Sequence, residues 1–304
     1  MTKRAHRLTA CGSAFILVLA TLTAASAATA TAAPAPPELC GPGSAINFIR
    51  SDFQAAPRID NQWFPLTPGM QFTTTGTVTS ADGVHAHSVI HTVTGLTKLI
   101  DGVQTRVMWD RDYDDGELVE SELAFFAQTR QGAVWLFGEY PEEYEGGEFV
   151  GAPSTFISGL AKAQAGIAMK ANPRTGTAAY VQAYAPKVDF LDCGDVFQQH
   201  QHLCVPTGCY NDVLVIDEFN PLEPPEAGHQ RKFYSAGTGL VKVTAVGGEE
   251  QEFMDLVKIR KLSASQLSEV NRQALEQDER GYTVSRNVYA KTPKAEVEGA
   301  APAS

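Results

Sequence analysis

Hydrophobic and polar positions along this chain alternate in short runs. From Asp60 to Leu262, stretches rich in β-branched and aromatic residues are broken by Gly, Pro and Asp-Gly turns. That period predicts strands. The first covers Phe72 to Thr79, turns at Ser80-Ala81-Asp82-Gly83, and continues from Val84 to Leu99. Val103 to Tyr113 and Glu117 to Thr129 form a long hairpin about Asp115-Gly116, a dipeptide suited to the left-handed backbone of a tight turn. Further strands are predicted at Ala133 to Phe137, Tyr180 to Phe190, Cys209 to Phe219, Gln230 to Tyr234, Leu240 to Val246 and Phe253 to Leu262. Strands joined this closely pair antiparallel. Gly151 to Arg174 has weak periodicity and reads as a long irregular excursion over one face of the sheet. Helical spacing appears once, over residues 263–280. Ser263 and Gln266 form a capping box there, and Leu267, Val270, Ala274 and Leu275 form an apolar stripe.

The two ends have a different character. Lys3, Arg4 and Arg7 precede an apolar run around Phe15 to Leu19, and Ala25-Ser26-Ala27 follows as a cleavage site, so residues 1–27 read as a secretory signal peptide. Cys11 lies before the apolar run, the wrong side for a lipid-attachment box. Residues 28–41 read as a flexible linker, 42–262 as one β-rich domain, and 281–304, polar and rich in Ala and Pro, as a disordered tail. At 43% hydrophobic residues the chain can bury a core. Loss of the three basic residues of the signal moves the net charge from −11 to −14, which excludes a nucleic-acid phosphate backbone as a natural partner. No second long apolar stretch exists, so no transmembrane segment is expected in the mature chain, and its place is secreted or extracytoplasmic. Four cysteines remain: Cys40, Cys193, Cys204 and Cys209. An even number in an exported chain favours two disulfides, with three connectivities open. Bridging Cys204 to Cys209 across the Val205-Pro206-Thr207-Gly208 turn is the simplest choice and leaves Cys40 for Cys193.

Several segments in order carry a resemblance. They are Trp63-Phe64-Pro65-Leu66-Thr67-Pro68-Gly69, then Phe126-Ala127-Gln128, then Gly132-Ala133-Val134-Trp135-Leu136-Phe137-Gly138-Glu139. Asn172-Pro173 follows with Gly176 and Tyr180, and last comes Lys232-Phe233-Tyr234-Ser235-Ala236-Gly237-Thr238-Gly239-Leu240-Val241. Together they resemble a family of exported bacterial β-rich proteins without an assigned activity. The resemblance implies an antiparallel meander forming a curved sheet or half-barrel, like bacterial lipoprotein carriers in architecture, and supplies no catalytic residues. Thr129 stands where that family usually has an acidic residue.

Three groups of side chains could carry chemistry. His85 and His87 share a strand face with His91, and His200 and His202 form a second His-x-His pair beside Cys204. Paired imidazoles are metal ligands, and a thiolate would add a soft donor for zinc or copper; the alternative is a polar strand edge beside a disulfide. Asp110, Asp112 and Asp114 have the alternating spacing of a calcium loop, with carboxylate oxygens as hard donors. Asp115 replaces the usual Gly, however, and the flanks read as strands. On a plain hairpin Asp114 would face Glu117, and Arg111 would face Glu120 as an ordinary ion pair. Glu139, ending an aromatic strand, is a candidate base or sugar ligand, while the Glu-rich stretch after it reads as a solvated loop. Trp63, Trp109 and Trp135 read as core. No nucleophile elbow, phosphate loop or dinucleotide fingerprint appears.

The expectation is therefore a secreted, non-catalytic protein that binds an apolar or amphipathic small molecule under a curved sheet. The alternative is a metal-binding protein or metal-dependent hydrolase that uses both His-x-His pairs, and it requires them to converge. An envelope-associated interaction protein is the third reading.

Overall fold

The computed structural model describes residues 37–81 and 83–299. The predicted signal peptide and most of the predicted linker lie outside them. Fifteen strands form one antiparallel sheet: β1 Met70–Ser80, β2 Gly83–Ile100, β3 Val103–Asp114, β4 Glu117–Gln128, β5 Val134–Glu145, β6 Glu148–Gly151, β7 Phe156–Ile157, β8 Gln164–Met169, β9 Tyr180–Ala185, β10 Phe190–Val205, β11 Gly208–Phe219, β12 His229–Ser235, β13 Gly239–Val246, β14 Gln251–Lys261 and β15 Glu296–Val297. One helix, α1, spans Ala264–Val284.

The sheet is not the curved sheet or half-barrel expected. β1 pairs with β2 along one edge and with β14 along the other, so the sheet closes into a barrel of twelve strands. Closure removes the free edges that a half-barrel would expose. Gly76 permits it locally, since a Cβ there would lie 1.6 Å from the Phe253 carbonyl oxygen. The segment predicted as an irregular excursion supplies β7 and β8, and β8 is a stave between β5 and β9. Its sequence, Gln164-Ala165-Gly166-Ile167-Ala168-Met169, lacks the β-branched signature because backbone packs against backbone: a Cβ on Gly166 would sit 2.3 Å from Val181 O. Tyr180 to Phe190, predicted as one strand, turns at residues 186–189 into a hairpin of β9 and β10. The predicted Glu-rich loop after Gly138 is instead the second half of β5.

Alternation divides the barrel wall into two packed layers. Inward-facing residues such as Val93, Ala124, Phe126, Leu136, Leu214 and Ile216 form one core, sealed by Ile59, Trp63 and Leu66 from the segment before β1. Outward-facing residues of β2 to β5, among them Val107, Trp109, Phe125 and Phe137, form a second core under α1 and the N-terminal segment.

Ser263 caps α1 through the reciprocal bonds of a capping box. The helix buries Asn271, Ala274, Gln277, Asp278 and Gly281, a more polar face than the predicted stripe. Asn271, Gln277 and Asp278 each bond to the wall strands. The Asn271 side-chain oxygen accepts from Gly95 N at 2.8 Å, and Gln277 Oε1 accepts from Trp109 Nε1 at 2.9 Å and Ser121 Oγ at 2.7 Å. The tail predicted beyond Arg280 also takes a different course, since helix, a fully buried Tyr289 and β15 against β2 continue the fold. Disulfides join Cys40 to Cys193 and Cys204 to Cys209. Among the described residues, no helix is long and apolar enough to cross a membrane.

Candidate functional site

One end of the barrel is stoppered by Ile59 to Gly69. Gln128, buried at the end of β4, accepts from the backbone N–H groups of Asp60 and Asn61 at 2.9 and 2.8 Å and donates to Asp60 Oδ1 at 2.7 Å. The Asn61 amide donates to Gly132 O and Lys170 O, while its oxygen accepts from the N–H groups of Trp63 and Phe64. Gly237 N donates to Gln62 O at 2.7 Å, and Gly69 is held between Val93 and Leu262 by backbone bonds of 2.8 Å. Such a tied segment carries its aromatic side chains at fixed height. Phe64 thus packs inside the barrel against Phe126, with ring centroids 5.3 Å apart, and against Tyr234 at 6.3 Å.

Above this stopper lies a cavity of ≈ 240 Å³. Its floor is apolar: Phe64, Leu66, Phe72, Met108, Phe126 and Leu136. Its wall is charged, and a contiguous space of ≈ 180 Å³ continues past that wall between β1–β4 and β12–β14. The gradient from floor to wall is written along single strands. On β3, Met108 is followed by Asp110, Asp112 and Asp114; on β4, Phe126 and Ala124 are followed by Glu122 and Glu120. With a period of two, each series keeps to one face.

The register sets carboxylates against one another. Asp110 lies opposite Glu122 and Asp112 opposite Glu120, and Glu120 in turn lies opposite Glu143 on β5. The expected Arg111–Glu120 pair does not form. A bulge between Asp112 and Tyr113 shifts the hairpin by one residue, so Arg111 faces Ser121 while Asp114 faces Glu117. Directly opposed like charges lie about 5 Å apart at Cβ and destabilise a sheet. Few cations offset them. Lys232 Nζ binds Glu218 at 2.5 Å, His91 Nδ1 binds Asp110 at 3.0 Å, and His87 bridges Asp114 at 2.6 Å and Glu252 at 3.3 Å. Among the described residues, no hydrogen bond or ion pair engages the carboxylates of Asp112, Glu120, Glu122, Glu139 or Asp192.

Proton affinities follow from this crowding. Burial, then the neighbouring carboxylates Glu120 and Asp110, pushes Asp112 up to about 7. Burial, then Asp110 and Glu143, raises Glu120 to about 7. Glu139 rises to about 8 through burial and then Asp192, Glu122 rises well above the usual carboxylate range through burial and then Glu139, and Asp192 reaches about 6 through burial and then Glu218. Burial opposes charge on His87, but Glu252 and Asp114 outweigh it and raise the imidazole to about 9. His91 is raised likewise by Asp110 against its burial.

The predicted site residues are scattered across this frame. His85 Nδ1 meets Asp115 at 2.8 Å at the β3–β4 turn, and His87 lies on the same face closer to the lumen. His200, largely exposed, meets Asp212 at 2.5 Å, and His202 meets Asn211 at 2.7 Å, both partners on β11. Among the described residues, the two pairs thus meet side chains at different places in the sheet. The sulfurs of Cys204 and Cys209 are consumed in their disulfide, 3.8 Å from His202 Nε2 at Cys204, which removes the thiolate donors a soft ion needs. Asp110, Asp112 and Asp114 lie along a regular strand, where a calcium loop would wrap them around one point. Trp63, Trp109 and Trp135 are all buried.

Lys232, Asp192, Gln182, Glu218 and Glu252, which join this wall from β9 to β14, carry no sequence signal strong enough to group them. Lys232 alone stands out, as the one basic residue opening the resemblance segment that ends at Val241. Four of the five resemblance segments meet here: the first is the stopper, Gln128 and Gly132 latch it, Leu136 and Glu139 line the lumen, and residues from Lys232 to Leu240 form its far wall, while Asn172 to Tyr180 is absent from the lining.

No family model and no curated protein matches the chain. Among solved structures it is similar to a candidate exported protein with a YmcC-like fold from Bacteroides fragilis, at 15% identity over 66% of this chain and all of that one, with a TM-score of 0.38. A candidate lipoprotein from Parabacteroides distasonis stands at the same TM-score with 14% identity and the same shares of both chains.

Proposed function

We propose that the mature chain is an extracytoplasmic binding protein that holds an apolar or amphipathic small molecule inside its barrel. The observation that carries this reading is the division of the lumen into an apolar floor and a polar wall around one cavity. A floor built from Phe64, Phe72, Met108 and Phe126 offers apolar area and no hydrogen-bonding demand, and apolar cavities with a few convergent polar groups are the usual form of a small-molecule site. The tied stopper adds to it, because a floor that does not rearrange loses little entropy when a ligand settles on it. Two disulfides suit a protein that works in an oxidising compartment. Binding requires no bond-making step, so the role is carriage, storage or sensing.

The test is titration with a neutral naphthylamine dye whose fluorescence rises in apolar surroundings. Ala124 is 2% exposed and lines the cavity, so Ala124→Phe fills the space while adding apolar contact. One-to-one binding that Ala124→Phe abolishes, with the folded far-UV spectrum retained, is the expected result. A dye that fails to bind, or binds the variant as tightly, would overturn the reading.

A further inference from the structure

The polar half of this lumen is dominated by carboxyl groups, with Asp110, Glu122, Glu139, Asp192 and Glu218 all in its lining. Resting on the reading of the lumen as the binding site, we infer that its ligand is an amphiphile with a protonated amine head, the alkyl part on the floor and the N–H groups against the wall. Three independent features point to it. First, cross-strand register places Asp110 against Glu122 and Asp112 against Glu120, and Glu139 lines the same cavity one strand over. A fold that only needed stability would gain by separating these groups. Second, Gln182, 7% exposed and lining the cavity, donates its amide to Glu218 at 2.9 Å but leaves Oε1 buried without a partner. Buried acceptors are almost always satisfied, and leaving one unmade costs stability. Asp110 Oδ1 is a second buried atom with no partner, although Oδ2 of the same carboxylate is engaged by His91. Both orphans are oxygens that require an N–H or O–H donor. Third, the cations on the wall already pair with other acidic groups, Lys232 with Glu218 and His91 with Asp110, while no ion pair among the described residues engages Glu122, Glu139 or Asp192 in the same lining.

Charge type follows from these features. An anionic head would meet several carboxylates and two unpartnered oxygens. A neutral hydroxyl has a single hydrogen to donate. An ammonium head has three and compensates the carboxylates it approaches, and such charge-assisted bonds are the strong ones. A bare divalent cation also favours carboxylates, but it gains nothing from an apolar floor that begins at Met108 and Ala124, one alternation step from Asp110 and Glu122.

The experiment is competition against the neutral dye at pH 8 with decylammonium, decanol, decanoate and decyltrimethylammonium, all below their aggregation concentrations, using the wild-type mature chain. Decylammonium is expected to compete at least about tenfold better than decanol, the worth of one charge-assisted hydrogen bond. Decanoate should compete at least about tenfold worse than decanol, and the trimethyl compound, which keeps charge but has no N–H, should fall between the ammonium and the alcohol. In Glu122→Gln and, separately, Gln182→Leu, the preference for decylammonium over decanol should shrink, which a merely structural role for either side chain would not produce. Equal competition by decanol and decylammonium, or better competition by decanoate, would overturn this inference and leave the apolar-lumen reading standing. Failure of every decyl compound would sink that reading as well. Stoichiometric calcium or zinc binding that excludes decylammonium would also refute the amine, by assigning the wall to a metal.

Discussion

The inner and outer faces of the barrel wall from β2 to β5 handle charge in opposite ways. Outside, under α1, charged groups are paired. Lys98, fully buried, donates to Asp278 at 2.7 Å, to Tyr282 OH and to Pro293 O, and lies 4.3 Å from the Tyr289 ring centre. Arg280 grips the buried Glu142 through two bonds of 2.9 and 2.6 Å. Inside, carboxylates face carboxylates, and two buried oxygens have no donor. Strands, register and twist are common to both faces, so the difference lies in what each face is for. The outer face locks helix and tail onto the barrel, and the inner face departs from local rules where a ligand would satisfy them.

The largest effect that would break this contrast lies in the outer lock. Asp278 accepts from Lys98, from Tyr289 OH at 2.6 Å and from Ala295 N at 3.1 Å. Asp278→Ala strands a buried ammonium and should cost about 3–5 kcal/mol in urea unfolding at pH 7, while Lys98→Met with Asp278→Leu should recover most of it. Glu122→Gln, by contrast, should cost nothing and at pH 9 should stabilise the free protein. An Asp278→Ala loss under about 1 kcal/mol would place the pair among ordinary surface bridges and remove the distinction.

A smaller effect sharpens the same contrast through pH. Asp112, Glu120, Glu139 and Asp192 hold their protons more tightly in the native state than in the unfolded chain, at about 7, 7, 8 and 6 against ordinary values of 3.8 or 4.5. Their contribution is complete below about pH 4 and is lost as pH rises through those values. His87, raised from 6.5 to about 9, acts in the same sense over a higher range. Glu252, held low by His87 despite its burial, acts oppositely and only in acid. Stability of the ligand-free protein should therefore fall from pH 5 to pH 9, by on the order of 2 kcal/mol once coupling and hydration blunt the individual terms of about 1.4 kcal/mol per unit. Denaturant midpoints across that range read it, and Glu120→Gln with Glu122→Gln should flatten the slope. A flat or rising profile in the wild type would mean the wall carries no strain.

How far these faces were legible beforehand differs in the same way. Strand positions from β1 to β5 and from β11 to β14 follow from alternation, because residues with one wet and one packed face announce themselves. β8 does not, because Gly166 and its alanines serve backbone proximity. The acidic series of β3 and β4 was visible as a spacing, yet its meaning depended on a one-residue bulge at Asp112–Tyr113 that no local pattern specifies. Closure by β1 and β14 joins residues roughly 180 positions apart, and a long-range pairing of that kind leaves no mark in either strand alone. The apolar stripe of α1 follows from its spacing, since Val270, Ala274 and Leu275 pack on the second core, whereas the burial of Asn271, Gln277 and Asp278 beside it does not, because their partners lie on distant strands.

The smallest effect asks whether lock and lumen melt together. Ser263 Oγ accepts from Gln266 N at 3.3 Å and the Gln266 side chain accepts from Ser263 N at 2.9 Å, at an exposed helix end far along α1 from Asp278. Ser263→Ala removes one half of that box and should cost about 1 kcal/mol. The measurement compares two probes during denaturation: the near-UV signal of the tryptophans, with Trp109 reporting on the helix interface, and fluorescence of dye in the lumen. Coincident transitions, both shifted by the same amount in Ser263→Ala, mean that the outer lock stabilises the inner wall against its own repulsion as one cooperative unit. Separate transitions, with only the tryptophan signal moved, mean that α1 frays from a barrel that holds its carboxylates unaided. The charge contrast between the faces would then be local, and the outer ion pairs could not be what tolerates the inner ones.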